Sequence, residues 1–172
     1  MCPGKEDMFR FLEDVVREVV PLFPGKYFHI GGDECPKTSW KHCPTCQKRI
    51  QDEGLQADGK HSAEERLQSY VIKRMEKMLA KYDRKIIGWD EILEGGLSPE
   101  ATVMSWRGTS GGISAALQKH DVIMTPGSGG LYLDHYQGDY KIEPVTIASS
   151  PAYLSKTYNY EPVPDTIKSL GL

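Results

Sequence analysis

The sequence predicts an α/β fold built on a parallel sheet with crossover connections. Three observations carry this. Short apolar runs recur at 27–30, 85–89, 102–106 and 121–124. Helical or loop segments separate them, which is what parallel strands require of their connections. Each run also stops at polar, acidic or aromatic residues: Asp33-Glu34 after the first, Asp90-Glu91 after the second, Arg107-Gly108 after the third and Thr125-Pro126-Gly127 after the fourth. Chemistry-bearing residues gathered just past strand ends are the arrangement of a (β/α) barrel. No GxGxxG motif follows the first run, so a dinucleotide site is unsupported.

Taken in order, Pro3-Gly4 marks an entry loop. The spacing over 6–20 predicts an amphipathic helix, with Met8, Phe9, Leu12, Val15, Val16, Val19 and Val20 on one side and Glu13, Asp14, Arg17 and Glu18 on the other. Glu6 and Asp7 suit its start, and Pro21 with Pro24-Gly25 ends it. After the first strand, 35–62 reads as a long polar insertion with a short helix at 47–53. A long helix follows over 63–82, opened by Ser62 and Glu65 as a capping box. Its expected inner face is Leu67, Tyr70, Val71, Arg74, Met75, Met78 and Leu79. A short helix is expected at 111–119 and the start of another at 166–170, with an extended stretch at 159–164 between them.

Composition narrows the function classes. With 172 residues, 39% hydrophobic and 26% charged, the chain has the length and balance of a globular domain rather than a disordered segment. A net charge of -3 gives no bulk electrostatic case for nucleic acid or an anionic membrane. No apolar run is long enough to span a bilayer.

The octapeptide Tyr27-Phe28-His29-Ile30-Gly31-Gly32-Asp33-Glu34 organises the rest. Neighbouring side chains on a strand point to opposite faces, so Asp33 and Glu34 serve one site only if the chain turns there. Two glycines permit that turn. Two carboxylates in one pocket repel, and one tends to keep a proton. On these residues alone, either acid could be a nucleophile or a proton donor, and the pair could equally be a polar strand-to-loop junction. Tyr132 and Asp134, two apart, would share one side of a strand.

The stretch His29-Ile30-Gly31-Gly32-Asp33-Glu34 resembles the acidic signature of glycoside hydrolase family 20, the β-N-acetylhexosaminidases. Gly88-Trp89-Asp90-Glu91, Met104-Ser105-Trp106-Arg107-Gly108 and Tyr132-Leu133-Asp134 follow in the order the family shows. The resemblance implies a (β/α)8 barrel of TIM type, of which 1–172 is the central-to-late part, about strands four to seven. It implies hydrolysis of terminal β-linked N-acetylglucosamine or N-acetylgalactosamine with retention, the substrate's acetamide acting as nucleophile. Carried over by position, Glu34 is the acid and then base, Asp33 orients the acetamide, and Tyr132 hydrogen-bonds its oxygen. Trp89 and Trp106 wall the sugar and Asp134 binds its hydroxyls. His29 buttresses the strand, and Asp90-Glu91 cap the segment after theirs. No cofactor or bound metal is expected. The partner is a glycan, and the substrate class points to a periplasmic or extracellular parent enzyme. The family's sugar-binding arginine, acids and histidine on earlier strands, and its last-strand tryptophan and acid, have no counterpart here. Weak or no activity of the chain alone is therefore expected, as is either self-association through uncovered sheet edges or an unusually loose fold. The alternatives are a barrel that only binds carbohydrate and a metal-dependent interaction module.

That last alternative rests on four cysteines. Cys2 stands alone, while Cys35, Cys43 and Cys46 cluster in the insertion with His42. The adjacency of His42 and Cys43 and the lack of a second CxxC fit zinc poorly. A local disulfide or free thiols fits better, and a thioredoxin-type role fits least, since CxxC does not follow a strand here.

Overall fold

The structure, a computed structural model, describes residues 1–129, 131, 135–146 and 151–171. It divides into two compact units, Met1–Ala101 and Thr102–Leu172.

The first unit opens with helix α1 (Glu6–Val19), which Glu6 and Asp7 start and a 3-10 turn containing Pro21 ends. Phe9 and Val16 of the helix and Val20 of the 3-10 turn are buried, three of the seven on the expected apolar side. Val15 stays 41% exposed. Strand β1 (Tyr27–His29) follows. Two short helices, α2 (Thr38–Lys41) and α3 (Pro44–Asp52), fill the insertion. The first of them was not expected: four residues carry no hydrophobic period. Pro44 sits in the first turn of α3, where its missing N–H costs nothing.

Helix α4 (Ala63–Ala80) begins with the expected capping box, the Glu65 amide donating to Ser62 Oγ and the Ser62 amide donating to the Glu65 carboxylate. Its buried side differs from the expected one. Leu67, Met75, Met78 and Leu79 are buried as read, but Ile72 takes the place of Val71, and Glu64, Gln68 and Ser69 are buried with them. Arg74 and Tyr70 are half-buried for a reason the period cannot show. The Arg74 guanidinium lies 3.8 Å from the Phe9 ring centre and forks onto Glu6 at 2.9 Å. Arg49 of α3 reaches the same carboxylate at 2.5 Å. Tyr70 Oη accepts from both arginines. One charge-and-aromatic cluster thus ties α1, α3 and α4 together.

Strand β2 (Lys85–Trp89) pairs in parallel with β1, in the register Tyr27 with Lys85 and His29 with Ile87. A 3-10 turn, Asp90–Leu93, leaves it. The second unit repeats the motif. Strand β3 (Thr102–Ser105) leads through helix α5 (Ser110–Leu117) to strand β4 (Val122–Met124), again in parallel. Ser105 fastens the crossover, its Oγ donating to the Gly108 carbonyl and accepting from the Gly112 amide. Helices α6 (Leu154–Tyr158) and α7 (Asp165–Lys168) close the unit, with Ile167 buried. Helix α6 was not anticipated, and α7 is the one expected to begin near Thr166.

The cluster at Glu6 sets a pH dependence. The Arg74 hydrogen bond, with Arg49 beside it, holds the Glu6 carboxyl down at about 2, below its ordinary 4.5. A depressed carboxyl stabilises the fold above its unfolded-state value and stops doing so as pH falls through the folded one. Glu6→Gln is therefore expected to melt below the wild type at neutral pH. The gap should close between about pH 4.5 and 2, as thermal melts followed by circular dichroism would record.

Candidate active site

Strand β1 ends at His29, but the ladder to β2 runs two bonds further. The Ile30 amide donates to the Ile87 carbonyl and the Trp89 amide donates to the Gly31 carbonyl, both at 2.9 Å. The chain then breaks away. Gly31 and Gly32 take φ values of 72° and 91°, open to glycine and rarely to other residues. Gly32 is also a close approach, since a Cβ there would stand 2.6 Å from the Ile92 side chain. Its carbonyl is held by Gln68 Nε2 at 3.2 Å, and the same amide donates to the Glu91 carbonyl at 3.1 Å. Gln68 is 3% exposed, so helix α4 pins the turn from within.

Beyond that pin come Asp33 and Glu34, both exposed. Glu34 sits at φ 42°, the left-handed region that a side chain of its kind rarely enters. The turn is what the sequence required for the two acids to leave the strand's alternation. Strained non-glycine backbone of this kind costs about 1–3 kcal/mol and gathers where geometry serves a function.

His29 supports the turn from the strand side. Its Nδ1 accepts from the Gly31 amide at 3.0 Å, and its ring meets Trp89 edge-on with centroids 4.7 Å apart. Burial of the ring pushes its pKa down, and the nearby Asp33 charge opposes that. Trp89, half-buried at the end of β2, is thus fixed by backbone to Gly31 and by ring to His29. Asp90 and Glu91 are 2% and 4% exposed and open the 3-10 turn after β2. Their burial sets them apart from the exposed pair at Asp33-Glu34.

In the second unit Trp106 is half-buried directly after β3, and its carbonyl accepts from the Gly127 amide at 3.1 Å. Tyr132 and Asp134 lie outside the described residues. Sequence reasoning missed Gln68. The signal was present: Glu64, Gln68, Ile72 and Met75 follow helical spacing, and the two polar members of that row interrupt an otherwise apolar stripe.

The cysteines arrange themselves otherwise than expected. Cys2 does not stand alone: its sulfur lies 3.6 Å from Cys43 and 3.4 Å from Cys46. Neither Cys35 nor His42 belongs to this group. All four cysteines are free thiols, one of the two arrangements expected for the insertion. Hydrogen bonds, first of all from the Thr45 hydroxyl, hold the Cys43 thiol at about 6, whereas burial pushes Cys46 up to about 12.

The family described as glycosyl hydrolase family 20, catalytic domain, matches residues 1–170. A beta-hexosaminidase of Porphyromonas gingivalis is 63% identical over 95% of this chain, and one of Vibrio furnissii is 33% identical over 95%. The chain spans 20% and 26% of those two proteins' lengths. Among solved structures, the Vibrio harveyi GH20 exo β-N-acetylglucosaminidase in complex with N-acetylglucosamine aligns over 98% of this chain and 26% of its own. It does so at a TM-score of 0.80 and 31% identity. A β-N-acetylhexosaminidase of Bacteroides fragilis aligns over 95% of this chain and 32% of its own, at a TM-score of 0.74 and 28% identity.

The turn makes two expectations of opposite sign. Gly32→Ala meets both the left-handed backbone and Ile92, and should lower stability by about 1–3 kcal/mol. Glu34→Asn relieves the same backbone, because asparagine enters that region more easily, and should raise stability by part of the ~1–2 kcal/mol that left-handed backbone costs. Urea denaturation of both variants measures the two.

Proposed function

The chain belongs to glycoside hydrolase family 20, and we propose that a protein carrying it removes terminal β-linked N-acetylhexosamine by a retaining, substrate-assisted reaction. The chain forms the central-to-late part of the (β/α)8 catalytic domain, with the cysteine-bearing loop at 35–62 as an insertion.

The observation that carries the mechanism is the turned pair Asp33-Glu34 at the end of β1. A retaining glycosidase with an enzyme nucleophile needs two carboxyls about 5–5.5 Å apart on either side of the bond to be cut. Consecutive residues on one turn suit a different division of labour, in which both acids address one side of the sugar. Glu34 protonates the leaving oxygen and then takes a proton from the incoming water. Asp33 accepts the acetamide N–H and steadies the positive charge that forms when the acetamide oxygen attacks the anomeric carbon. Trp89, fixed against His29, offers an apolar face to the acetamido group. Trp106, Tyr132 and Asp134 keep the roles their motifs imply: a wall for the ring, a hydrogen bond to the acetamide oxygen and contact with sugar hydroxyls.

The exposure of both acids supports the expectation that this chain alone turns over slowly. Proton transfer to a glycosidic oxygen profits from a site that excludes water. The barrel that only binds carbohydrate is disfavoured by the intact pair Asp33-Glu34, since a pure binder gains little from two adjacent acids whose charges repel.

The test is hydrolysis of a chromogenic N-acetyl-β-glucosaminide by a protein containing this chain. Glu34→Gln should lower kcat by about 10²- to 10⁴-fold. The matching glucoside, which lacks the acetamide, should not turn over. Trapping a covalent glycosyl ester on Asp33 or Glu34 would overturn the mechanism and leave the family assignment standing.

A further inference from the structure

We propose that Cys2, Cys43 and Cys46 form a structural zinc site that clamps the start of the chain onto the insertion following the acid pair. The first support is the sulfur geometry. Zinc bound by thiolates at about 2.3 Å in a tetrahedron sets its sulfurs about 3.8 Å apart. The Cys2 sulfur stands 3.6 Å from Cys43 and 3.4 Å from Cys46, and all three lie within 4.8 Å of one another. A disulfide would use two of them and strand the third, whereas a soft metal ion uses all three.

The second support is the backbone around them. Cys43 precedes α3 and Cys46 lies in its first turn, so the helix start presents both sulfurs to one side. The segment carrying Cys2 is pressed close: a Cβ on Gly4 would stand 2.3 Å from the Thr45 backbone, and Pro3 is fully buried. That contact leaves no room for a side chain, so the two segments hold their approach without the ion.

The Thr45 hydroxyl lies 3.1 Å from both the Cys2 and Cys43 sulfurs, on the exposed side of the group. The fourth position of the ion would be filled from solvent on that side. On binding, Zn²⁺ replaces the thiol protons, which pass to solvent. Beneath the site lies an apolar cluster of Cys46, Ile50 and Leu67. The ion would therefore tie the segment before α1 to the start of α3, above a cluster that reaches Leu67 of α4, and its role is separate from the proposed hydrolysis.

Elemental analysis of the protein purified under reducing conditions is expected to find one equivalent of zinc per chain. Cys43→Ser and Cys2→Ser should lose most of it, and Cys35→Ser should keep it. Where a variant fails to fold, the wild type still decides: Co²⁺ in place of zinc should give a thiolate-to-cobalt charge-transfer band in the near ultraviolet. Stripping with a chelator should lower the melting temperature and added Zn²⁺ restore it. Protein that holds no zinc and develops no cobalt band overturns the proposal. So does a mass spectrum showing Cys2 in a disulfide with Cys43 or Cys46 in protein prepared without reductant.

Discussion

The candidate site depends on how two glycine carbonyls are held. The Gly31 carbonyl receives the Trp89 amide and the Gly32 carbonyl receives the buried Gln68 side chain. These bonds come from different elements, one from the neighbouring strand and one from the helix that follows. Between them they stop β1, turn the chain and deliver Asp33 and Glu34 together. A side chain on Gly32 would meet Ile92, and a side chain on Gly88 would meet it as well, so the turn and the strand beside it close on the same residue. The strain at Glu34 is sustainable because the backbone before it has nowhere else to go.

Around this turn the first unit is braced at two places. Glu6, Arg49, Arg74, Phe9 and Tyr70 join α1, α3 and α4 by charge and aromatic contact. Glu6 is partly solvated, so that brace is screened and modest in energy, and it contributes placement more than stability. The other brace is the sulfur group, where Cys2 crosses from the chain start to the insertion. Both act on the loop that begins at Cys35, one residue beyond the acid pair. A loop that long needs such ties if it is to present a fixed wall next to a reacting group.

The chemistry assigned to Asp33 and Glu34 asks for water to be excluded, yet both are exposed on this chain. Relatives of the same family are four to five times longer, as the coverage of 20% and 26% implies. A site at the C-terminal ends of barrel strands draws its walls from several strands at once. The proposed mechanism therefore belongs to a protein that supplies those walls, while the turn that orients the acids is complete within residues 27–34 and the helix that pins it.

Sequence by itself determined the elements whose signals are local. The amphipathic periods of α1 and α4, the Ser62–Glu65 cap and the four strand runs were legible because a helix or strand repeats its pattern within a few residues. The acid pair was legible for the same reason, as neighbours in sequence beside two glycines. The tertiary structure alone decided the contacts between distant segments. It brought Cys2 to Cys43 and Cys46 across more than forty residues and left out Cys35 and His42. It turned Gln68 and Ile72 inward where the helical period had favoured Val71, because the carbonyls of Gly32 and Glu91 lay there to be satisfied. It placed Glu34 in the left-handed region, which no composition rule indicates. A periodic pattern records which face of an element meets the core. Which partner waits on that face is settled only when the elements pack.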